Sequence, residues 1–337
     1  MKIALDAMGG DKAPLVNVEG ARDALALYPK IEKIFLVGDE EILKAECEKS
    51  KLTDPRIEIV HASQVVEMRE SGAKTLRSKR DSSIAVATEL VKSGKAQAVV
   101  SAGNTGAAVA NATLRLRTLK GVERAGIASP FPNEHGVCNL LDAGANPEAK
   151  PEHLLVYGVM GAMYAKHVLG VKNPIVGLMS NGEEDEKGTT FTKATLELIK
   201  GVEDAPFEFK GNIEGHDLFE TKLDVVLTDG FTGNIILKAS EATAKAMSKW
   251  LKIEFKRKPI RALGAAMAQG AFKAVKKRSS YEYYGGSPLL GINGVVIISH
   301  GGSSSLAMQN AIRGAMEQIQ HKVNPHIEEA LEKLGFE

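Results

Sequence analysis

The sequence predicts an α/β protein built on a largely parallel β-sheet with helices on both faces. Two observations predict this class. Short β-branched and apolar runs alternate with helical patterns along most of the 337 residues, which is the pattern of βαβ units. Several of these runs also end in Gly, Asn, Ser or Asp. Such residues are typical of the carboxyl ends of parallel strands, where the sheet forms its ligand crevice.

The elements follow from this alternation in order along the chain. Strands are predicted at 2–7, 33–38, 57–60, 97–102, 126–130, 137–144, 174–180, 207–213, 224–229 and 294–299. Helices are predicted near 14–28, 39–50, 151–170, 189–200, 231–256 and 302–320. The helix at 151–170 is apolar nearly all the way round, which is typical of a helix buried in a core or an interface. Its Gly158 and Gly161 would allow close approach of another element.

Composition and charge exclude several function classes. The chain carries 43 Lys and Arg against 42 Asp and Glu, so no overall charge draws it to nucleic acid. Cys47 and Cys138 match no metal or redox spacing, which suits a reducing cytoplasm. We find no signal-peptide pattern and no run of 18 apolar residues. A cytosolic protein is therefore expected, in contact with a membrane surface at most.

Six glycine-rich or polar stretches follow predicted strands. They are DAMGGD (6–11), SAGNTGA (101–107), DAGANP (142–147), SNGEEDEKGT (180–189), TDGFTGN (228–234) and SHGGSSS (299–305). One such turn is explained by helix capping. Six favour a cleft at one edge of the sheet, where backbone N–H groups and helix N-termini bind an oxyanion or a phosphate. The candidate hydrogen-bond donors are Asn104, Thr105, Asn181, Asn234 and Ser303.

Two charged or titratable side chains have open alternatives. Lys187 would supply a positive charge to the cleft, or would be an exposed lysine beside the acidic run 183–186. We interpret that run as a solvated loop rather than a metal site. His300 lies between a strand end and two glycines, at the cleft or in a structural position. Serine-hydrolase, zinc-protease, P-loop and dinucleotide motifs are absent, and no metal or cofactor is predicted.

The stretch 256–278 is a basic amphipathic segment without an acidic residue. Its apolar residues recur at spacings of three and four, which predicts one stripe on a helix. That stripe is formed by Ile260, Leu263, Met267, Ala271 and Val275. The pattern is typical of a helix on an anionic membrane surface, and the same cations suit an acidic carrier protein. The alternative is a helix packed on its own domain.

Together these motifs resemble one bacterial enzyme family. ALDAMGGDKAP (4–14), SAGNTGA, NGEEDEKGT (181–189), TDGFTGN, YYGGSPLLG (283–291) and SHGGSSS are similar to motifs of the phosphate acyltransferases, the acyl-ACP:phosphate transacylases of phospholipid synthesis. The resemblance implies a three-layer α/β/α sandwich related to phosphotransacetylases and to isocitrate and isopropylmalate dehydrogenases. Residues 1–337 would form a single domain of two intertwined lobes.

The resemblance also implies a reaction and its partners. A fatty acyl group would pass from acyl-acyl carrier protein to inorganic phosphate, without a cofactor. The acyl phosphate would feed a membrane glycerol-3-phosphate acyltransferase on the way to phosphatidic acid. The enzyme would be a cytoplasmic homodimer, peripherally associated with the inner face of the cell membrane, with no nucleic-acid partner.

The residues expected to contact the substrates lie in these motifs. We assign Asn104, Thr105 and Ser303 to phosphate, and Lys187 and Asn234 to the thioester oxyanion. His300 would donate a hydrogen bond to phosphate or protonate the departing thiolate. Further expected substrate-binding residues are Asp6, Gly9, Gly10, Ser101, Gly103, Gly106, Asn181, Asp229, Gly233, Ser287 and Gly301.

Some alternatives stay open at this point. Leu289 and Leu290 of YYGGSPLLG would line the acyl channel, or would belong to the core beside a structural turn. Rival functions are a short-chain phosphotransacetylase that uses acyl-CoA, a non-enzymatic scaffold on the membrane surface, and a dehydrogenase of the same fold.

Overall fold

A computed structural model describes residues 1–336, without the side chains of Ser279 and Tyr281. The strands are β1 Lys2–Asp6, β2 Lys33–Gly38, β3 Ile57–His61, β4 Ala98–Ser101, β5 Gly126–Asn133, β6 Gly136–Leu141, β7 Ile175–Met179, β8 Glu208–Ile213, β9 Val225–Leu227, β10 Ser287–Leu290 and β11 Val295–Ile298. The helices are α1 Leu15–Leu27, α2 Glu40–Lys49, α3 Gly72–Ser78, α4 Ser83–Lys92, α5 Thr105–Asn111, α6 Pro151–His167, α7 Thr190–Lys200, α8 Asp217–Glu220, α9 Gly230–Lys256, α10 Pro259–Met267, α11 Gln269–Ser279, α12 Ser305–Gln320 and α13 Val323–Lys333.

The strands of the described chain form one sheet in the order β3-β2-β1-β4-β11-β10-β5-β6-β9-β7-β8. Strands β1, β2, β3, β4 and β11 form one parallel group. Strands β6, β7, β8 and β9 form a second parallel group. Between the groups, β10 is antiparallel to β11 and to β5, and β5 is antiparallel to β6. The two parallel groups therefore run in opposite directions.

This reversal corrects one expectation. The loops after β1, β4 and β11 leave one edge of the sheet, and the loops after β6, β7 and β9 leave the other edge. The prediction that all six polar stretches meet at one edge is wrong, because β10 and the β5–β6 hairpin reverse the chain direction in the middle of the sheet. Any site shared by both sets of loops must lie over a face of the sheet.

Helix α6 packs in the core of the second half of the sheet, as its apolar sequence predicts. A Cβ added at Gly161 would lie 2.7 Å from the side chain of Val225, and one at Gly158 would lie 3.0 Å from the ring of Phe207. Both distances are shorter than carbon–carbon contact allows. The predicted close approach at these two glycines is confirmed.

The basic segment is divided into two helices rather than one. Lys258 is extended, with φ −140° and ψ 138°, and Pro259 opens α10; a residue before proline avoids helical geometry. A second break at Ala268 separates α10 from α11. Large apolar side chains remain exposed here, including Met267 at 83% and Ile260 at 72%. None of the helices within residues 1–336 has the length and apolarity needed to cross a bilayer.

Candidate active site

A cavity of about 580 Å³ lies between α9 and the central strands. The cavity is lined by residues of α9 that recur at spacings of three and four and therefore share one face of the helix. They are Asn234, Leu237, Glu241, Ala244 and Met247. Loops from both edges of the sheet reach this cavity. The loops after β4 and β11 contribute Thr105 and His300, and the segment after β6 contributes Ala143.

The sheet side of the cavity has a polar part and an apolar part. The Ser287 hydroxyl lies 3.4 Å from the hydroxyl of Ser129, and Ser287 pairs with Ile298 in the sheet. Two residues further along β5, Phe131 contacts Phe219 of α8 edge to face, with ring centroids 6.0 Å apart. The cavity therefore joins hydroxyl and imidazole groups to a wall of apolar side chains.

His300 lies in the polar part, directly after β11. Its Nδ1 accepts a 2.9 Å hydrogen bond from the backbone N–H of Gly302. Its Nε2 lies 3.9 Å from a carboxylate oxygen of Glu241, whose side chain is 25% exposed. Sequence reasoning missed Glu241, because a glutamate on an amphipathic helix usually faces solvent and only the packing of α9 shows that this one faces a cavity.

The first turn of α9 is fixed by its cap. The Asp229 carboxylate accepts hydrogen bonds from the N–H groups of Phe231 and Thr232 and from the Thr232 hydroxyl. Asp229 is thus the N-cap of α9, and its carboxylate oxygens are already bonded to the first turn of that helix. A Cβ at Gly233 would lie 2.0 Å from the carbonyl oxygen of Asp142, so glycine is required there. Asn234, one residue on, lines the cavity.

Asp142 holds the loop beneath this turn and was not predicted. One carboxylate oxygen accepts 2.9 Å bonds from the N–H groups of Ile127, Gly144 and Ala145, and the other accepts a 2.6 Å bond from Asn146. Burial raises the pKa of this carboxyl above its ordinary value, and the four backbone donors act against that shift. The signal in the sequence was DAGANP itself, which we assigned to ligand contact rather than to loop support.

Asp6 and Ser101 form a buried pair beneath the SAGNTG turn. They are 2% and 1% exposed. The Ser101 hydroxyl donates to the Asp6 carboxylate at 2.7 Å and accepts from the Gly103 N–H at 3.1 Å. Burial raises the pKa of Asp6, and the bond from Ser101 opposes this effect. Neither residue lines the cavity, and their geometry supports the turn.

The Asn104 side chain is engaged with the start of α5 and with the segment that precedes α3. Its oxygen caps α5 by accepting the Ala107 N–H at 2.9 Å, and its amide donates to the carbonyls of Glu67, Met68 and Glu70. The capping interpretation of the turn therefore holds for Asn104. Thr105, the next residue, is exposed and lines the cavity, and Gly106 beside it is also exposed.

The glycines of the first and last motifs pack these loops together. A Cβ at Gly9 would lie 2.6 Å from the Asp6 carboxylate and 2.8 Å from the Gly103 nitrogen. Gly10 has φ +107°, a conformation that favours glycine. The Gly301 carbonyl accepts the Asp11 N–H at 2.8 Å. Gly9, Gly10, Gly103 and Gly301 do not line the cavity.

Three residues predicted to bind substrate do not line the cavity. Ser303 is buried and shares a 2.8 Å hydrogen bond with the Ser299 hydroxyl. Asn181 accepts the Gly188 N–H at 2.8 Å within the loop after β7. Lys187 lies in the same loop, 48% exposed and 4.0 Å from the Glu184 carboxylate. Of the predicted site residues, the cavity brings together Thr105, Asn234, Ser287 and His300. Leu289 and Leu290 are buried in the core.

The described residues offer one group with metal-ligand spacing, Glu183, His216 and Asp217, whose ligand atoms lie within 4.8 Å of one another. The Asp217 oxygens already accept hydrogen bonds from the Thr221 hydroxyl and the Glu214 N–H. This group does not line the cavity. Cys138 does not line the cavity either; it is buried in β6 opposite Phe131, and burial raises the pKa of its thiol.

Comparison with known proteins shows the family of this chain. A family model described as "Fatty acid synthesis protein" matches residues 1–326. The phosphate acyltransferase of Akkermansia muciniphila is 59% identical over 338 residues, covering 99% of this chain and 97% of that protein. The phosphate acyltransferase of Pelotomaculum thermopropionicum is 48% identical over 334 residues, covering 99% and 96%.

Solved structures with little sequence similarity share the fold. The EutD phosphotransacetylase of Staphylococcus aureus superimposes with a TM-score of 0.60 at 17% identity, over 94% of each chain. A phosphotransacetylase of Streptococcus pyogenes gives a TM-score of 0.61 at 17% identity, over 95% of this chain and 94% of that one. The predicted α/β/α fold and its likeness to the fold of phosphotransacetylases are confirmed. By its family model and its full-length relatives, the chain belongs to the phosphate acyltransferase family and is an enzyme of the transferase class.

Proposed function

We propose that this enzyme transfers a fatty acyl group from acyl-acyl carrier protein to inorganic phosphate, giving an acyl phosphate for phosphatidic acid synthesis. The observation that carries the proposal is the cavity itself, in which Thr105, Asn234, Ser287 and His300 lie beside an apolar wall that includes Phe131. A polar end suits phosphate and the reacting carbonyl. An apolar wall suits the hydrocarbon chain, at about 0.8 kcal/mol for each buried methylene.

The reaction needs positioning more than it needs a protein nucleophile. Monohydrogen phosphate attacks the thioester carbonyl carbon, the C–S bond breaks, and the sulfur takes up the proton that phosphate loses. The products are an acyl phosphate and the carrier thiol. Holding the two reactants in contact lowers the barrier by several kcal/mol, and a donor aimed at the carbonyl oxygen contributes about 3 kcal/mol.

We assign these donors as the sequence predicts, with changes where a side chain is already bonded. Thr105 and backbone N–H groups of its turn bind phosphate, and Asn234 donates to the oxyanion. Asp6, Ser101 and Asn104 support the turn instead of touching substrate. Lys187 supplies positive charge to the oxyanion, a role that requires the loop after β7 to close over the cavity. In this proposal the cavity lies between two intertwined lobes of one domain.

Trapping with hydroxylamine tests the function. Long-chain acyl-acyl carrier protein, inorganic phosphate and enzyme are mixed with hydroxylamine, and acyl hydroxamate is measured against a control without phosphate. Phosphate-dependent hydroxamate with release of the carrier thiol supports the proposal. Product from short-chain acyl-CoA alone would identify a phosphotransacetylase, and no product from either donor would favour the scaffold or dehydrogenase interpretation.

We also propose a homodimer with peripheral membrane association. Helix α9 exposes Trp250 at 63% and Phe231 at 64%, and α10 and α11 expose apolar side chains beside many cations. Exposed apolar surface, where it is extensive, marks interaction sites. The α9 face would pair with a second copy, and the segment 256–278 would contact an anionic leaflet close to the membrane glycerol-3-phosphate acyltransferase that uses the product.

Vesicle flotation tests the membrane contact. Replacing the exposed Lys256, Lys258 and Lys273 with Gln removes three charges, each contributing roughly 1 kcal/mol near an anionic leaflet. The variant should no longer float with anionic vesicles, whereas the unmodified enzyme should. Light scattering should give the mass of a dimer for both proteins. Unchanged flotation of the variant would place the membrane contact elsewhere.

A further inference from the structure

We propose that His300 acts as a neutral hydrogen-bond donor, through Nε2–H, to an anionic substrate oxygen, and not as the acid that protonates the departing thiolate. This inference rests on the proposed function and decides between the two roles that the sequence leaves open for this residue. It depends on the direction of one hydrogen bond and on the place of the ring in the cavity.

The direction of the bond at Nδ1 is fixed by its donor. A backbone N–H only donates, so the 2.9 Å contact from Gly302 to Nδ1 requires a lone pair on that nitrogen. The ring proton must then be on Nε2. An imidazolium would carry a proton on both nitrogens and would turn this bond into a contact between two donors.

The loop around Gly302 is itself held in place. The carbonyl of neighbouring Gly301 accepts the Asp11 N–H at 2.8 Å, and the Ser303 N–H donates to the His300 carbonyl at 2.9 Å. Helix α12 begins two residues after Ser303, capped by Ser304. The N–H of Gly302 is therefore aimed at Nδ1 by backbone bonds on both sides, and it does not depend on a mobile side chain.

Charged groups near the ring act on Nε2. The Glu241 carboxylate lies 3.9 Å from Nε2, too far for a hydrogen bond but near enough to attract an Nε2–H dipole. Glu241 in turn lies 4.0 Å from the Lys245 ammonium, and Lys238 also lines the cavity. From the other side, the Asp11 carboxylate lies beside Gly301 and Gly302. Glu241 is thus a positioning residue that keeps the Nε2 edge of the ring toward the cavity.

A neutral imidazole in this position stabilises developing negative charge without giving up its proton. The chemistry has a general precedent, since a neutral histidine polarises a carbonyl when its other nitrogen is held by a backbone N–H. The proton that the thiolate needs is the one lost by monohydrogen phosphate. No proton is gained or lost by His300 over the reaction.

Side chains that place an amide nitrogen at different positions test this role. The amide nitrogen of Gln occupies about the place of Nε2, and that of Asn about the place of Nδ1. We expect His300→Ala and His300→Asn to lower kcat/KM by about 10²–10³-fold, and His300→Gln to stay within about tenfold of the wild type. His321→Gln, the same change at an exposed histidine, should leave kcat/KM unchanged. Equal loss in His300→Gln and His300→Ala would overturn the proposal, because Gln donates a hydrogen bond but cannot deliver a proton.

A second measurement needs no turnover. Nitrogen NMR of protein labelled at its imidazoles reports which ring nitrogen carries the proton, and His300→Gln assigns the signals by removing one set. At pH 8, where ordinary imidazoles are neutral, we expect the proton on Nε2. A proton on Nδ1 would overturn the inference even if the transferase activity is established. A proton on Nε2 in a protein that fails to form acyl phosphate would instead show that the proposed function is wrong.

Discussion

Removing the ring of Phe219 should shift the enzyme toward longer acyl chains. This ring forms part of the apolar wall of the cavity, and its edge-to-face partner Phe131 is 3% exposed. Phe219 itself is 39% exposed, so Phe219→Ala removes part of the cavity wall without creating a void in the hydrophobic core. Its backbone carbonyl, which accepts the Glu134 N–H at 2.8 Å, is retained in the variant.

The size of the shift follows from the burial of methylenes. Each added methylene that enters the vacated space contributes about 0.8 kcal/mol. A chain two carbons longer than the best wild-type substrate therefore gains about 1.6 kcal/mol, which corresponds to about 15-fold in relative kcat/KM. Chains too short to reach the ring should gain nothing.

The assay is competition between two acyl-acyl carrier proteins that differ by two carbons, with the acyl hydroxamates counted by mass spectrometry. Phe272→Ala is the matched control, because Phe272 is 40% exposed and does not line the cavity. Its product ratio should equal that of the wild type. An unchanged ratio in Phe219→Ala, or the same change in both variants, would refute the assignment of this wall to the acyl chain.

Three further predictions concern the supports and the charge of the site. Asp142→Asn should lower the free energy of unfolding in urea by about 2–4 kcal/mol, because its amide faces the Asn146 N–H and leaves that donor unpaired; an unchanged midpoint would contradict this. Since burial raises the pKa of Asp6, the stability it contributes is present below its ordinary value of 3.8 and is lost as pH rises through the raised value. The melting temperature of Asp6→Asn relative to the wild type should therefore increase as the pH rises above 3.8, at most by about 1.4 kcal/mol per pH unit in free energy, and a difference that stays flat at every pH above 3.8 would contradict the raised pKa. Lys187→Ala should lower kcat by about 10²–10³-fold with its fold intact by circular dichroism, whereas exposed Lys193→Ala should not; equal rates in the two variants would remove Lys187 from the mechanism.

Local patterns were sufficient for most elements of the fold. Helix α6 was predicted as buried from its uniformly apolar sequence, and the capping alternative for Asn104 holds because an Asn before a helix has a short-range partner. Strand β10 was missed, because four residues containing a proline show no periodicity. That strand reverses the sheet, so the arrangement of the loops could not be predicted without it.

The site was harder to predict than the fold for a physical reason. A small polar residue at the end of a strand can bind a ligand or satisfy its own loop, and the sequence looks the same in both cases. Asp142 and Asp6 are used for support, while Thr105 and His300 reach the cavity. Phe131 and Glu241 were missed, because their role depends on which element packs across from them.

The most direct test of the central claim follows inorganic phosphate itself by phosphorus NMR. Enzyme, long-chain acyl-acyl carrier protein and inorganic phosphate are mixed, and the phosphate resonance is followed against a reaction with free carrier protein. We predict an acyl phosphate resonance that grows in step with released carrier thiol and disappears on addition of hydroxylamine. Thiol release with the phosphate resonance unchanged would show that water, and not phosphate, accepts the acyl group, and would contradict the account.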